Sequence, residues 1–331
     1  MNCRASTEPS PAPQAPRRPV LLWVVGSLTL ILAVGLVAGG WELALPAAGW
    51  SLRPQDYHPY APTALLGPLL LGLLAAAALV AAARRPRPAA TVGALALLTV
   101  VHLQAAILID GGGARLPWAV NSLGTVLSDV SNGYFAAAER IGALRPWLAD
   151  YYELQARDGY KLSTHPPGAV LAYWLPLRLY QQLPPVRALA GGWLDGLTGG
   201  ETATLAEVLA RIPTVQPSNA DRLAAALWCL LWIAAAGSLT VWPVYLLGAR
   251  WGGPRVGLAA AGLFCLLPSS LLYTASLDVV LLLLTAWALV ALDWGLTSAR
   301  GPWAGGLAAG LALGAALSVS IGAAASVGLV V

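Results

Sequence analysis

The feature that most limits how this chain can fold is its series of long apolar runs. They occupy residues 20–40, 62–83, 89–109, 223–247, 256–275, 279–297 and 302–325. Each has roughly the 20 residues that an α-helix needs to cross the hydrocarbon core of a bilayer. Charged residues make up only 10% of the chain, against about a quarter in soluble domains. We therefore predict an all-α protein of the cell membrane, a polytopic transmembrane helix bundle.

Arginine-rich turns between the runs predict their orientation, because short cytoplasmic loops carry an excess of Lys and Arg. Such turns hold Arg17 and Arg18, then Arg84, Arg85 and Arg87, then Arg250 and Arg255, and finally Arg300. They place the N-terminus inside, with residues 1–19, rich in Pro, Ala and Ser, as a disordered cytoplasmic tail. Residues 20–109 then form three transmembrane helices and residues 223–331 four. The last run reaches Val331 without a polar flank, which favours a chain truncated there.

Counting crossings from these turns leaves residues 110–222 on the outer face of the membrane. The apolar piece 168–183 lies within that segment and contains Pro176 and Arg178. At about 16 residues it is short for a span, so we interpret it as an interfacial or re-entrant helix. The alternative is that it crosses, paired with a second crossing hidden in 186–212.

The outer segment contains a long polar stretch, residues 128–173. Its pattern predicts short amphipathic helices on the membrane surface, one over 131–145 that Pro146 ends and one over 147–157. A further surface helix is predicted over 202–211. A long loop that keeps charged, aromatic and helical patterning is typical of a functional loop.

Charge and cysteine content exclude several classes of function. The net charge of +4 is spread along the chain without a basic block, so no nucleic-acid partner is expected. Cys3, Cys229 and Cys265 neither cluster nor have metal-ligand spacing, so we predict no disulfide framework and no metal site. No cofactor is expected either.

Asp129 is the candidate catalytic residue. It follows an apolar approach and precedes a predicted helix, so its carboxylate could cap that helix, a role that Ser128 or Ser131 could share. A carboxylate beside the bilayer is also well placed to take a proton from an acceptor hydroxyl. Spacing supports the two roles equally, and they are compatible.

Basic residues around a rigid turn form the candidate site for an anionic head group. They are Lys161, His165, Arg140 and Arg157. The turn 164–168 contains two consecutive prolines, which fix the chain as it enters the apolar piece. Cations at the membrane interface can bind a lipid phosphate. The structural alternative is a rigid entry turn with no ligand.

Asp278 lies at the start of an apolar run, and two interpretations are open. An acidic residue at a span boundary commonly caps the helix. Inside the membrane margin, an ionisable side chain is also a candidate functional residue.

The candidate motifs occur in a recognisable order. They are Asp129, Tyr134-Phe135-Ala136, His165-Pro166-Pro167-Gly168 with Tyr173-Trp174, Asp221-Arg222-Leu223-Ala224, Leu247-Gly248-Ala249-Arg250-Trp251-Gly252-Gly253, Pro268 and Asp278. This order resembles the GT-C superfamily of integral-membrane glycosyltransferases, near the protein O-mannosyltransferase and aminoarabinose transferase group (glycosyltransferase family 39-like). The likeness covers roughly residues 120–300. The chain departs from the pattern by lacking a second carboxylate beside Asp129, by having Gly168 where Leu is common, and by carrying two extra spans before the loop.

The resemblance implies a GT-C-like fold and transfer of a sugar from a polyprenyl-phosphate donor to an acceptor on the outer face, which could be a protein, lipid or glycan. It implies Asp129 as the general base. The residues that would hold the donor phosphate are Lys161, His165, Arg140 and Arg157. Asp278, Tyr134 and Arg222 would be supporting residues, and no metal is required.

Two other classes of function are open. A membrane transporter or flippase would use the outer loop as a gate, but the spans hold few ionisable groups and show no inverted repeat. A non-catalytic polytopic membrane protein is the other class, and the missing second carboxylate keeps this alternative open.

Overall fold

The structure, a computed structural model, describes residues 44–45, 50–51, 88–110, 115–130, 132–157, 165–265, 267, 276–297 and 302–320. The chain divides into two units, Met1–Pro59 and Tyr60–Val331. In the first unit, the described residues form a short antiparallel ladder between β1 (Ala44–Leu45) and β2 (Trp50–Ser51).

The described part of the second unit is built of helices. The first group comprises α1 (Pro88–Asp110), α2 (Arg115–Leu127), α3 (Tyr134–Glu139), α4 (Leu144–Ala149), α5 (Tyr151–Arg157) and α6 (Pro167–Gln182). The second comprises α7 (Pro184–Thr198), α8 (Thr202–Ala210), α9 (Ala220–Leu239), α10 (Val241–Cys265), α11 (Asp278–Thr297) and α12 (Pro302–Val319).

Three described stretches are apolar and long enough to cross a membrane. They are Ala220–Cys265, which comprises α9 and α10, then Asp278–Thr297 and Pro302–Val319, and a shorter apolar stretch, Pro88–Leu103, lies in α1. In α11 and α12 only 22% of the most apolar window is buried inside the protein, so most of that surface needs an apolar solvent. These helices indicate a membrane protein. The predicted tail 1–19 and the predicted spans 20–40 and 62–83 lie outside the described residues.

The chain reverses direction within α10, at Gly253. This glycine has a φ of 81°, in the left-handed region that other residues rarely adopt. In a straight helix Tyr245 and Gly257 would be about 18 Å apart, yet a Cβ on Gly257 would lie 2.6 Å from the Tyr245 carbonyl oxygen. The resulting helical hairpin falls between the predicted runs 223–247 and 256–275.

Helices α11 and α12 form a second hairpin, and the turns of both hairpins lie at the same end of the helices. A Cβ on Gly295 would lie 3.0 Å from the Cα of Gly305, which shows how closely α11 and α12 approach near their turn. Arg250, beside the first turn, pairs with Asp293, beside the second, at 3.3 Å. The two arginine-marked turns are therefore neighbours.

Buried side chains form two hydrophobic clusters. The larger contains side chains of α2, α3 and α6 to α9, including the fully buried Phe135, Tyr173 and Tyr180, which are at most 2% exposed. The smaller joins α1 to α10 through residues such as Leu98 and Leu258. Helix α9 contributes side chains to the larger cluster and α10 to the smaller. The clusters therefore meet near Thr240, the single residue between these helices.

The polar stretch folds into shorter helices than its pattern predicts. The single helix predicted over 131–145 is wrong, since α3 ends at Glu139 and α4 begins at Leu144. Pro146, predicted to end a helix, lies instead in the first turn of α4. A proline is tolerated there because its missing N–H would have no acceptor within the helix. The helix predicted over 147–157 is divided between α4 and α5.

Helices α6 to α8 follow the polar stretch. The helix predicted over 202–211 is confirmed by α8, whereas α7 was not predicted. The apolar piece predicted over 168–183 is α6, which runs antiparallel along α9. The hydroxyl of Tyr180 donates to Asp221 Oδ1 at 2.8 Å, and the indole N–H of Trp228 donates to the Pro176 carbonyl at 3.0 Å. Whether α6 crosses the membrane stays a prediction.

The first turn of α6 packs directly against the end of α12. A Cβ on Gly168 would overlap the backbone carbonyl and the hydroxyl of Ser318. A larger side chain at this position would separate the two helices. This contact explains why the chain has Gly at this position.

We therefore expect Gly168→Ala to destabilise the protein by about 1 to 3 kcal/mol, the usual range for overpacking. The matched control is Gly310→Ala in α12, where an added Cβ meets no atom within 4 Å and replaces a poor helix former with a good one. Thermal unfolding in detergent should show a lower midpoint for Gly168→Ala and an equal or higher one for Gly310→Ala. Equal midpoints for Gly168→Ala and the parent protein would contradict the contact.

Candidate functional site

The structure places Asp129, Arg222, Tyr134 and His165, four of the predicted site residues, in two groups of contacting side chains. The Arg222 network consists of Asp129, Glu139, Gln216 and Arg222. The Tyr134 cluster consists of Asn132, Tyr134, Tyr151, His165 and Tyr173. Helix α3 connects the groups, because Tyr134 begins it and Glu139 ends it.

Asp129 lies in the loop between α2 and α3, and backbone pairing fixes this loop. The Asp129 N–H donates to the Thr214 carbonyl at 3.0 Å, beside an antiparallel bridge between Ser128 and Val215. The prediction that Asp129 caps a helix is wrong, because the N-cap of α3 is Gly133, with a φ of 64° and no side-chain cap. The Asp129 carboxylate is exposed and does not cap α3.

Arg222 organises the network. Its Nε and Nη2 donate to the two carboxylate oxygens of Glu139 at 2.9 and 2.8 Å. Its Nη1 donates to the Pro217 carbonyl at 3.1 Å and to the Ser218 hydroxyl at 3.2 Å. The guanidinium also lies 5.8 Å from the ring centroid of Phe135. The side chains of Arg222 and Glu139 are only 16% and 29% exposed, so this is a forked, largely desolvated ion pair.

Gln216 connects Arg222 to Asp129. Its Oε1 accepts from Arg222 Nη2 at 3.1 Å, and its Nε2 donates to Asp129 Oδ2 at 3.0 Å. A guanidinium can only donate hydrogen bonds, so the amide oxygen must face Arg222 and the amide N–H must face Asp129. Gln216 therefore holds the Asp129 carboxylate as a hydrogen-bond acceptor in a fixed orientation.

The first turn of α9 supports this arrangement. Asn219 is its N-cap, and the Asn219 Oδ1 accepts from the Arg222 N–H at 2.8 Å. This cap fixes the backbone of Arg222, and the short segment before it supplies the carbonyls that the guanidinium binds.

The Tyr134 cluster surrounds the turn that leads into α6. The Tyr134 ring meets the His165 ring edge-on at 5.3 Å and stacks on Tyr173 at 6.3 Å. The Tyr151 hydroxyl donates to the His165 carbonyl at 2.9 Å, and the Gln155 amide donates to the same oxygen at 2.6 Å. Helix α5 thus holds His165 in place against Tyr134.

Asn132 lies at the buried centre of this cluster and is 4% exposed. Its side-chain amide donates to the Tyr173 hydroxyl. Among the described residues its Oδ1 has no hydrogen-bond partner. The cluster therefore contains a buried acceptor that this part of the chain leaves unused.

Burial changes the proton affinity of several phenols in and beside the cluster. It raises the pKa of Tyr134, with the nearby charge of Asp278 as a further cause. Burial also raises the pKa of Tyr151, of Tyr173 and of Tyr180, and in Tyr180 the hydrogen bond to Asp221 adds to the effect. These phenols remain neutral at physiological pH.

A loss of stability at high pH should follow. A phenol with a raised pKa in the folded protein stabilises it fully below about pH 10, where unfolded tyrosine titrates, and this contribution is lost as the pH rises further. We expect the unfolding midpoint to fall above pH 10, and tyrosinate absorbance at 295 nm to rise together with unfolding. Tyr134→Phe should lessen the fall. Titration of all the tyrosines near pH 10 in the folded protein would contradict the burial of these phenols.

Asp278 begins α11 and is exposed. The Ser276 hydroxyl donates to Asp278 Oδ2 at 2.7 Å, and the Asp278 N–H donates to the Ser276 hydroxyl oxygen at 3.3 Å. Ser276 therefore provides an acceptor for the first N–H of α11. Because its charge acts on Tyr134, Asp278 belongs beside the Tyr134 cluster.

The residues predicted to bind phosphate do not form a single cluster among the described residues. Arg157 pairs with Glu153 at 3.6 Å on the surface of α5, where both side chains are more than 70% exposed. These two residues lie on the face of α5 opposite to Tyr151 and Gln155, so the structure does not bring Arg157 to His165. Arg140 is exposed after α3, with its Nε donating to the Ala136 carbonyl at 3.3 Å. Lys161 lies outside the described residues.

Sequence reasoning missed Gln216 and Glu139. Gln216 stands in the segment Pro213-Thr214-Val215-Gln216-Pro217, which carries no recognisable motif and is 87 positions from Asp129. Glu139 is the last residue of α3 and could be read as a solvated helix end. The described parts of the chain contain no group of three His, Cys, Asp or Glu side chains able to hold a metal ion.

The chain matches no family model, and neither a curated protein nor a solved structure is significantly similar to it.

Proposed function

We propose that this protein is a membrane glycosyltransferase that moves a sugar from a polyprenyl-phosphate donor to an acceptor at the outer face of the membrane. The observation that carries the proposal is the Asp129 carboxylate, exposed and yet held in one orientation by Gln216. A general base needs this combination, because it must reach the substrate and present a lone pair in a fixed direction.

In the proposed reaction, Asp129 takes the proton of an acceptor hydroxyl. The acceptor oxygen bonds to the anomeric carbon of the sugar, and the bond between that carbon and the phosphate oxygen breaks. The leaving group is the polyprenyl phosphate, so no metal or nucleotide is consumed. Arg222 takes part only through Gln216, because its N–H groups already bind Glu139, Gln216, Pro217 and Ser218.

The donor phosphate is proposed to bind near the Tyr134 cluster. His165 lies there at the start of α6, and Lys161 is close to it in sequence. Arg140 follows α3 and would complete the cationic group. Tyr134 and Asp278 would line the site as neutral and acidic neighbours. Arg157 is left out of the proposed site because it faces away from His165.

The proposed topology places residues 110–222 on the outer face of the polytopic helix bundle. It is supported by the ion pair between Arg250 and Asp293, because the sequence of the two hairpin turns at that end holds Arg250, Arg255 and Arg300, and arginine-bearing short turns would face the cytoplasm. The start of α9, with the Arg222 network, is at the other end of the same helical stretch.

The test uses purified full-length protein in lipid nanodiscs. It is supplied with a panel of labelled polyprenyl-phosphate hexoses and pentoses and with envelope extracts as acceptors, and the release of polyprenyl phosphate is measured. We expect at least one donor to be consumed with its sugar appearing on an acceptor. Solute movement across sealed vesicles without sugar transfer would instead establish a transporter.

A further inference from the structure

Helix α7 exposes an apolar stripe although its opposite face is already buried. Ala190, Leu194 and Thr198 are at most 6% exposed and pack inward. The residues of the stripe are Pro185, Ala188, Leu189, Gly192, Trp193 and Gly196, all exposed. At 100° per residue they occupy an arc of about 140°, whereas the charged residues Arg187 and Asp195 lie outside it.

The side chains of the stripe are left open by the part of the chain that the structure describes. Leu189 and Trp193 are 45% and 43% exposed, and a Cβ added to Gly192 or Gly196 would meet no atom within 4 Å. Single exposed apolar residues are ordinary. A contiguous stripe on a helix that also buries its other face requires an apolar neighbour.

The length and width of α7 distinguish between three apolar neighbours, which are the membrane interior, a second copy of the chain and the bilayer surface. Its 15 residues give a length of about 22 Å, too short to cross about 30 Å of hydrocarbon. A stripe about 10 Å wide offers roughly 200 Å² per copy, so pairing two copies through it would bury about 400 Å², well below the roughly 1,200 Å² of a stable interface. A bilayer surface has no such minimum area.

The tryptophan in the stripe and the arginine near the start of α7 are both consistent with contact to a bilayer surface. Tryptophan is enriched at the boundary between head groups and acyl chains, and Trp193 lies along one edge of the stripe. Near the start of α7, Arg187 reaches Asp221 at 3.9 Å and lies 5.6 Å from the ring centroid of Tyr180. Its charge is thus held in a polar setting while the stripe faces away, as arginine commonly does at an interface.

We infer that the exposed stripe of α7 contacts lipid in the boundary between head groups and acyl chains, so that α7 anchors the polar segment to the membrane surface. Because Asp221 precedes Arg222, this contact fixes the depth of the start of α9 relative to the head groups. The inference needs no catalytic activity.

The test is spin labelling of the full-length protein in lipid nanodiscs. Cys3 is replaced by Ser, while Cys229 and Cys265 are buried and stay. Labels are placed by Leu189→Cys and Trp193→Cys, with Glu207→Cys on α8 as the aqueous control and Leu311→Cys on α12 as the lipid control. Collision with oxygen, which concentrates in lipid, is compared with collision with a water-soluble nickel chelate.

We expect the oxygen-to-nickel collision ratio at 189 and 193 to exceed that at 207 several-fold and to approach that at 311. A ratio equal to that at 207 would show that the stripe faces water. Low collision with both reagents would show a protein cover, and dipolar broadening in addition would identify a second copy of the chain. Each of these three results would overturn the inference.

Discussion

Replacing Asp129 with Asn is expected to lower sugar transfer by at least about a hundredfold, the usual contribution of a general base. The substitution removes the group that accepts the proton and leaves the shape of the side chain unchanged. The substituted asparagine would still offer a carbonyl oxygen to the Gln216 amide, so the loop between α2 and α3 should keep its position. Release of polyprenyl phosphate from the donor measures the loss, and unfolding midpoints verify that the fold is retained.

The matched control is Asp150→Asn. Asp150 is also an exposed carboxylate in the polar segment, at the end of α4, and it belongs to neither site group. Activity should be unchanged in this variant. Equal turnover by Asp129→Asn and the parent protein would remove Asp129 from the mechanism, and equal loss in both variants would indicate a general effect of negative charge.

Replacing Arg222 with Leu should have the largest effect on stability. It leaves the Glu139 carboxylate, 29% exposed, without its partner and frees the Gln216 amide to rotate. Removing one member of a largely buried ion pair costs about 3 to 5 kcal/mol when burial is complete, so about 2 to 4 kcal/mol is expected here. Thermal unfolding in detergent should show the decrease, and sugar transfer should fall with it because Asp129 loses its orientation.

Two comparisons make this prediction specific. Arg157→Leu breaks a longer ion pair, at 3.6 Å, in which both side chains are more than 70% exposed, so no measurable change is expected. The double variant Arg222→Leu, Glu139→Leu should be more stable than Arg222→Leu alone, because it leaves no unpaired buried charge. A double variant whose loss equals the sum of the single losses would show that the two side chains act independently.

The sequence predicted the apolar helices well because their signal is local. Apolar runs long enough to span a bilayer predicted α1, α9, α11 and α12. The glycine and arginine residues around Gly253 indicated the turn inside α10. Helix α7 was missed because apolar residues occupy both its exposed and its buried face, which removes the helical period, and because three glycines interrupt it. The prediction that Pro146 ends a helix is wrong because proline is compatible with both the end of one helix and the first turn of the next.

The site was less predictable because its contacts are long-range. Asp129 was chosen from its place ahead of the aromatic motif, but its partner Gln216 comes from a loop that carries no motif. Arg222 was assigned a supporting role by resemblance, and only the structure shows that a glutamine links it to Asp129. The link between His165 and α5 depends on two side-chain hydrogen bonds to one carbonyl, which no spacing rule predicts.

Thr240 is the single residue between α9 and α10. It is fully buried, and its hydroxyl has no hydrogen-bond partner among the described residues. Pro243 lacks the N–H that would bind the Leu239 carbonyl in a continuous helix. Arg222 lies 18 residues before Thr240, at a distance of about 27 Å. A bend of about 10° at Thr240 would therefore shift the guanidinium by about 5 Å, almost entirely sideways, so bending there would move the network along the lipid surface and leave its depth nearly unchanged.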